Sequence, residues 1–254
     1  MLRSATLFIA LLSVTAAEAA TVMITGASRG IGFEFAKRYA ERGWDVIATA
    51  RSPQDDADLQ ALAAANPTVR LETLDVTDHP GIDRLAEKLR GTAIDVLINN
   101  AGISGGRDTQ DFGTIDYSVF NDVMNINVLG PLKVTEAFLD HVAASDQKKI
   151  INISSSEGRL SAVRGSRQAF YRASKSALNM VMLNVYQHPK VQESGVIIGI
   201  LTPGFVDTDF TAGLPKQMMK SVETSVAQSM TMIDKYDLSM SGKYFANTGE
   251  EMTW

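Results

Sequence analysis

The chain has 254 residues, 45% of them hydrophobic, a formal net charge of −5 and no cysteine. That length suits one α/β domain with a sizeable core. The negative balance argues against nucleic acid as the main partner, and the lack of thiols excludes a disulfide framework, a thiolate zinc site and a cysteine nucleophile.

The first twenty residues stand apart. Arg3 gives a positive start, residues 5–14 form an uncharged, largely apolar run, and Ala17-Glu18-Ala19 fits a small-x-small cleavage pattern. This is the order of a secretory signal peptide. Residues 1–19 are therefore expected to be a signal peptide or a hydrophobic N-terminal extension, and residues 20–254 the folded domain. The apolar run is short for a membrane-spanning helix. The expected location is exported (periplasmic), or membrane-associated through this segment, with a cytoplasmic location as the alternative.

After residue 20, short β-branched runs alternate with longer helical patterns. Strands are expected at 21–25, 45–49, 69–74, 96–98, 150–154, 196–201 and near 243–245. Helices are expected at 31–42, 55–64, 82–90, 117–144, 169–187 and 222–233. Several strands are apolar throughout rather than alternating, as strands are when helices cover both faces of a parallel sheet. The βαβαβα order predicts a single α/β domain with a doubly wound, Rossmann-like parallel sheet. No internal repeat, low-complexity linker or second composition zone divides it.

Thr25-Gly26-Ala27-Ser28-Arg29-Gly30-Ile31-Gly32 follows the first strand and opens the first helix. Glycines there serve a tight turn, close backbone approach to a pyrophosphate and close helix–strand packing, while the free N–H groups and the positive helix end receive the phosphate charge. The Gly-x3-Gly-x-Gly spacing resembles that of the short-chain dehydrogenase/reductase family, and the resemblance runs through nearly the whole chain after residue 20. Asp75-Val76 after strand three matches the family's adenine-contacting turn. Asn99-Asn100-Ala101-Gly102 after strand four and Pro203-Gly204 after strand six match further motifs. Ala48-Thr49-Ala50-Arg51, Tyr171-Arg172-Ala173-Ser174-Lys175 and the closing Gly249-Glu250-Glu251-Met252-Thr253-Trp254 look like the C-factor-like or sniffer-like branch of carbonyl reductases. Taken alone, Asn-Asn-Ala-Gly is also an ordinary turn, and Asp75 is also an ordinary helix cap.

The resemblance implies a dinucleotide site formed by Gly26, Ser28, Arg29, Gly30, Ile31, Gly32, Arg51, Asp75, Val76, Asn100, Ala101, Gly102, Tyr171, Lys175, Pro203, Gly204, Val206 and Thr208. NAD-preferring enzymes place an acid at the end of strand two. Here Ala50-Arg51-Ser52 stands there, and Arg29 matches a second basic position that family members use for a 2′-phosphate. Two guanidiniums at those places favour NADP(H), with NAD(H) left open.

Tyr171 and Lys175 are four apart on an expected helix and so share a face. A nearby ammonium, together with the positive nicotinamide ring, would lower a phenol pKa from its usual ~10. By itself such a pair reads as surface neighbours. The resemblance makes Tyr171 the acid/base, Lys175 its partner, and Asn127 the residue that kinks a helix and supports a water linking the lysine to solvent, with Asn125 as rival. It selects Ser155, the last residue of Asn-Ile-Ser-Ser, to steady the substrate oxygen, with Ser154 as runner-up. The Ser155-to-Tyr171 stretch is longer than the family pattern, so 158–168 is expected to bulge.

No metal site is expected, because His79, His141 and His188 are scattered without ligand spacing. The methionines at 218, 219, 230, 232 and 240 either line an apolar cleft or fill the core. The expectation is an NADP(H)-dependent oxidoreductase moving a hydride between the nicotinamide and a small-molecule carbonyl or alcohol substrate. The alternative is a dinucleotide-binding signalling or sensor protein with incidental turnover. Homo-oligomerisation stays open.

Overall fold

The computed structural model describes residues 19–212 and 215–254. The expected N-terminal leader therefore lies outside the described residues, Ala19 excepted. Among the described residues no helix is long and apolar enough to cross a membrane.

Seven parallel strands form one sheet. They are β1 (Thr21–Thr25), β2 (Asp45–Ala50), β3 (Val69–Thr73), β4 (Val96–Asn99), β5 (Lys149–Ile153), β6 (Ile197–Thr202) and β7 (Tyr244–Ala246). Their order is β3-β2-β1-β4-β5-β6-β7. The chain winds outward from β1 to one edge, then returns to place β4 on β1's other side, with Val22, Met23 and Ile24 opposite Val96, Leu97 and Ile98. That reversal opens a crevice beyond the carboxyl ends of β1 and β4, which is where such sheets bind ligands.

The uniformly apolar strands are explained by two cores. Val22 and Ile24 of β1 point into one cluster, with Phe35 and Tyr39 of α1 (Gly30–Glu41), Leu59 of α2 (Ala57–Ala65) and Met230 and Ile233 near the chain end. Met23, between them, points into the other, with Ile82 and Leu85 of α3 (His79–Lys88). Successive strand side chains alternate faces, so a strand covered on both sides must be apolar at every position. Met230 and Met232 are core-filling, whereas Met218 is exposed.

The single helix expected over 117–144 is interrupted. A 3-10 turn, Tyr117–Val119, leads into α4 (Phe120–Met124). One π-helical turn, Asn125–Leu129, then precedes α5 (Gly130–Ala143). Pro131 has no N–H to donate one turn back, and a widened turn accommodates that loss. Helix α6 (Ala169–Gln187) matches expectation. The short α7 (Pro189–Ser194) does not, although His188 caps it by accepting from the Lys190 N–H at 3.2 Å. The last helix is α8 (Val222–Lys235).

Candidate active site

The carboxyl ends of the strands open into one cleft of about 960 Å³. At its base the chain turns sharply out of β1. Gly26 has φ +68°, a conformation L side chains rarely adopt. A Cβ on Gly32 would lie 2.2 Å from the Gly26 carbonyl oxygen, so only glycine lets α1 start this close to the strand. Arg29, at the helix N-cap, makes no side-chain cap, and the first turn holds no acid. The helix therefore presents its uncapped N–H groups and positive end to the cleft, an arrangement suited to a phosphate.

The β4 end locks this loop in place. Thr25 Oγ1 accepts from the Asn100 and Ala101 N–H groups at 3.0 and 3.1 Å. Asn100 Nδ2 donates to the Thr25 and Gly26 carbonyls at 3.0 and 3.1 Å. Across the cleft the loop after β6 comes down on the glycine turn, since a Cβ on Gly30 would lie 3.5 Å from Thr208 Cγ2.

Every expected dinucleotide residue lines this cleft: Gly26, Ser28, Arg29, Gly30, Ile31, Gly32, Arg51, Asp75, Val76, Asn100, Ala101, Gly102, Tyr171, Lys175, Pro203, Gly204, Val206 and Thr208. Arg29 and Arg51 are exposed. Neither guanidinium joins an ion pair among the described residues. Partial burial pushes the Asp75 carboxyl up, but the Thr77 hydroxyl and amide and the nearby Arg51 charge together hold it below its usual value. Cradle, uncapped helix and two open guanidiniums fit a dinucleotide carrying an extra phosphate.

Ser155, Tyr171 and Lys175 meet at the other end. The two neighbouring serines differ in commitment. Ser154 is buried, and its hydroxyl donates to Asn179 Oδ1 at 2.6 Å. Ser155 is half-buried, its Oγ accepts from the Glu157 N–H at 3.2 Å, and its hydroxyl faces the Tyr171 phenol. Asn127 does not line the cleft but braces it from beneath. Its Oδ1 accepts from the Ile103 N–H at 2.9 Å, and its Nδ2 donates to the Ile103 carbonyl at 2.8 Å and to Ser174 Oγ at 3.0 Å. Its rival Asn125 is exposed.

The expected lowering of the phenol pKa is not delivered by the lysine. Burial pushes Tyr171 up to about 12, the Ser155 hydroxyl offsets part of this, and the Glu157 charge adds to the rise. Lys175 Nζ lies 6.0 Å from the Tyr171 ring centroid and donates to the Ile153 carbonyl at 2.9 Å. Burial drives the ammonium down to about 8. Two buried groups, each penalised in its charged form, leave the protein alone with a neutral phenol.

Three features escaped sequence reasoning. Gln110, fully buried, donates to the Ser104 and Gly106 carbonyls at 2.7 Å each and accepts from the Tyr171 N–H at 2.9 Å. It ties the loop after β4 to the start of α6. Glu157 pairs with Arg172 at 2.5 Å beside Tyr171. Phe210 meets the Tyr171 ring edge-on, with centroids 5.3 Å apart. No motif or period marks these residues, because each partner comes from a distant part of the chain. The lengthened stretch before Tyr171 folds as two short 3-10 turns, Ser156–Gly158 and Leu160–Ala162, followed by exposed residues 163–167. This is the expected bulge.

Residues 20–219 match the family model of the short chain dehydrogenases. The 1-hydroxy-2-glutathionyl-2-methyl-3-butene dehydrogenase of Rhodococcus sp. (strain AD45) is 32% identical over 237 residues, 92% of this chain and 99% of that protein. C-signal of Myxococcus xanthus is 34% identical over 161 residues, 63% of this chain and 93% of that protein. The crystal structure of an NADPH-bound carbonyl reductase from chicken fatty liver shares the backbone with a TM-score of 0.83 at 30% identity, over 94% of this chain and 100% of that one.

Proposed function

The chain belongs to the short-chain dehydrogenase family, and on that premise we propose that it is an NADP(H)-dependent oxidoreductase acting on a carbonyl/alcohol pair, with Tyr171 as its acid/base. The observation that carries this reading is the meeting of Ser155, Tyr171 and Lys175 at one end of a cleft whose other end holds Arg29 and Arg51. The NADPH bound by the chicken carbonyl reductase supports the cofactor.

When bound, the nicotinamide supplies hydride to the carbonyl carbon or takes it from the alcohol. The protein's part is the proton and the geometry. In reduction, Tyr171 gives its phenolic proton to the substrate oxygen as that oxygen gains negative charge. The Ser155 hydroxyl donates to the same oxygen and steadies the charge. Lys175, held by the Ile153 carbonyl, keeps a positive charge near the phenolate that forms, and binds the ribose. Asn127 fixes the backbone of Ile103 against α6, so the cleft wall and the catalytic helix hold one spacing.

The test is NADPH oxidation across a panel of aldehydes and ketones. Tyr171→Phe should lower turnover by about a hundredfold or more, the usual worth of a positioned acid, and leave NADPH affinity nearly intact. The likeness to C-signal favours a second reading, a dinucleotide-binding signalling or sensor protein. Tight NADPH binding without turnover of any substrate in the panel would support it against the first.

A further inference from the structure

The catalytic reading leaves residues 249–254 without a task. After a turn at Gly249, this segment runs back beside β7. The Ala246 N–H donates to the Glu250 carbonyl at 2.8 Å, Phe245 and Glu251 form an antiparallel bridge, and the Met252 N–H donates to the Tyr244 carbonyl at 2.7 Å. The return sets the Trp254 ring on the buried Tyr244 ring, stacked with centroids 5.5 Å apart and planes 20° apart.

From there the segment reaches back across the molecule. Thr253 Oγ1 accepts from Arg159 Nη2 at 2.9 Å and shares a hydrogen bond with Ser161 Oγ at 3.2 Å. The Ser161 N–H donates to the Trp254 carbonyl at 3.3 Å. Arg159 and Ser161 belong to the stretch between the catalytic serine and tyrosine, directly after Glu157 in the cleft wall. The other side of that stretch rests on α6. The Gly158 carbonyl accepts from Ser176 Oγ at 2.7 Å, and a Cβ on Gly158 would lie 2.9 Å from the Lys175 backbone. Residues 158–161 are thus gripped between the catalytic helix and the returning segment.

We infer that Thr253 and Trp254 form a strut that positions the 156–162 stretch, and with it the wall of the cleft that meets the carbonyl substrate. The inference rests on the catalytic reading above. The strut makes no hydrogen bond to the glycine loop, Arg51 or Asp75, so its loss bears on the substrate end and spares the cofactor end. Thr253 and Trp254 are positioning residues. They act through Arg159 and Ser161.

Thr253→Val removes the hydroxyl at nearly constant volume, and Trp254→Ala removes the ring that anchors the segment to Tyr244. With 4-nitrobenzaldehyde as probe substrate, each should raise KM about fivefold, the effect of losing one or two modest hydrogen bonds or one ring contact. The NADPH dissociation constant, read by fluorescence, should stay within about twofold, since no cofactor contact is removed. Thr253→Ser, which keeps the hydroxyl, should restore the unaltered KM. A second readout needs no turnover. Trypsin should cleave after Arg164 or Arg167 faster in the Val and Ala variants than in the unaltered protein. Unchanged KM and unchanged cleavage overturn the strut, and so does a loss of NADPH affinity in step with KM. If the unaltered protein turns over no carbonyl substrate, the catalytic reading fails and the trypsin result alone decides whether the strut exists.

Discussion

Lys175 and Tyr171 are buried on one face of α6, and the same burial raises the phenol and lowers the ammonium. The lysine is charged below about 8 and neutral above it. In the proposed mechanism its charge supports both the phenolate and the ribose. The free-enzyme profile of kcat/KM for NADPH should therefore be flat at neutral pH and fall as pH rises through about 8. Lys175→Arg keeps a charge at all these pH values. Whatever activity it retains should lack that alkaline fall, and a fall unchanged from the parent would assign the titration to another group. At the far end of the cleft, Arg51→Asp replaces an open guanidinium by a charge that repels a 2′-phosphate. NADPH affinity should drop by about tenfold to a hundredfold, the worth of a charge-assisted hydrogen bond, while NADH affinity holds or improves. Equal binding of the two dinucleotides by the unaltered protein would remove the role given to Arg29 and Arg51.

At the scale of elements, the site depends on how closely strands, turns and helices approach. The start of α1 is set by Gly32, where a methyl group would overlap the Gly26 carbonyl and Asn100 Nδ2 at 2.2 and 2.5 Å. Gly32→Ala should cost about 1–3 kcal/mol of stability by overpacking and lower NADPH affinity, both measurable in denaturant titrations with and without cofactor. The π turn Asn125–Leu129 is a second such point. It aims Asn127 across to Ile103 and Ser174, and Asn127→Ala would leave the half-buried Ile103 N–H and carbonyl without their side-chain partner. A loss of about 1–2 kcal/mol is expected, from the loss of hydrogen bonds to partly buried polar groups. Carbonyl turnover should fall with it, because the loop after β4 and α6 lose their shared brace. Full stability in this variant would show that the three hydrogen bonds are replaceable by water.

At the scale of the whole molecule, the described residues around the start of β1 are already anchored to their neighbours. The Thr21 N–H donates to Asp95 Oδ2 at 2.8 Å, and the Asp45 N–H donates to the Ala20 carbonyl at 3.0 Å. A cut after Ala19 would leave both bonds and, among the described residues, every core side chain in place. We therefore propose that the N-terminal segment is a removable export or membrane-targeting signal. Mass spectrometry of the protein from its native cell should find a terminus at Ala20, and deletion of residues 2–19 should leave the unfolding midpoint unchanged. An intact Met1 terminus with purely soluble cytosolic fractionation would refute this.

What the amino-acid order settled by itself were the features with local causes. All seven strands, the glycine turn and the long α6 were legible because apolar runs, positive-φ glycines and helical spacing act over a few residues. The same holds for the placing of Arg29, Arg51, Tyr171 and Lys175, since strand ends and a four-residue helical step fix them. Tertiary structure decided the rest. The phenol pKa depends on how deeply α6 is buried, and the difference between the two serines depends on Asn179, 25 residues from Ser154, which takes the Ser154 hydroxyl. Gln110 holds Tyr171 across 61 positions, and Thr253 grips Arg159 across 94. Hydrogen bonds between residues so far apart leave no period or motif in the sequence, because their geometry exists only once the sheet has brought its strand ends together.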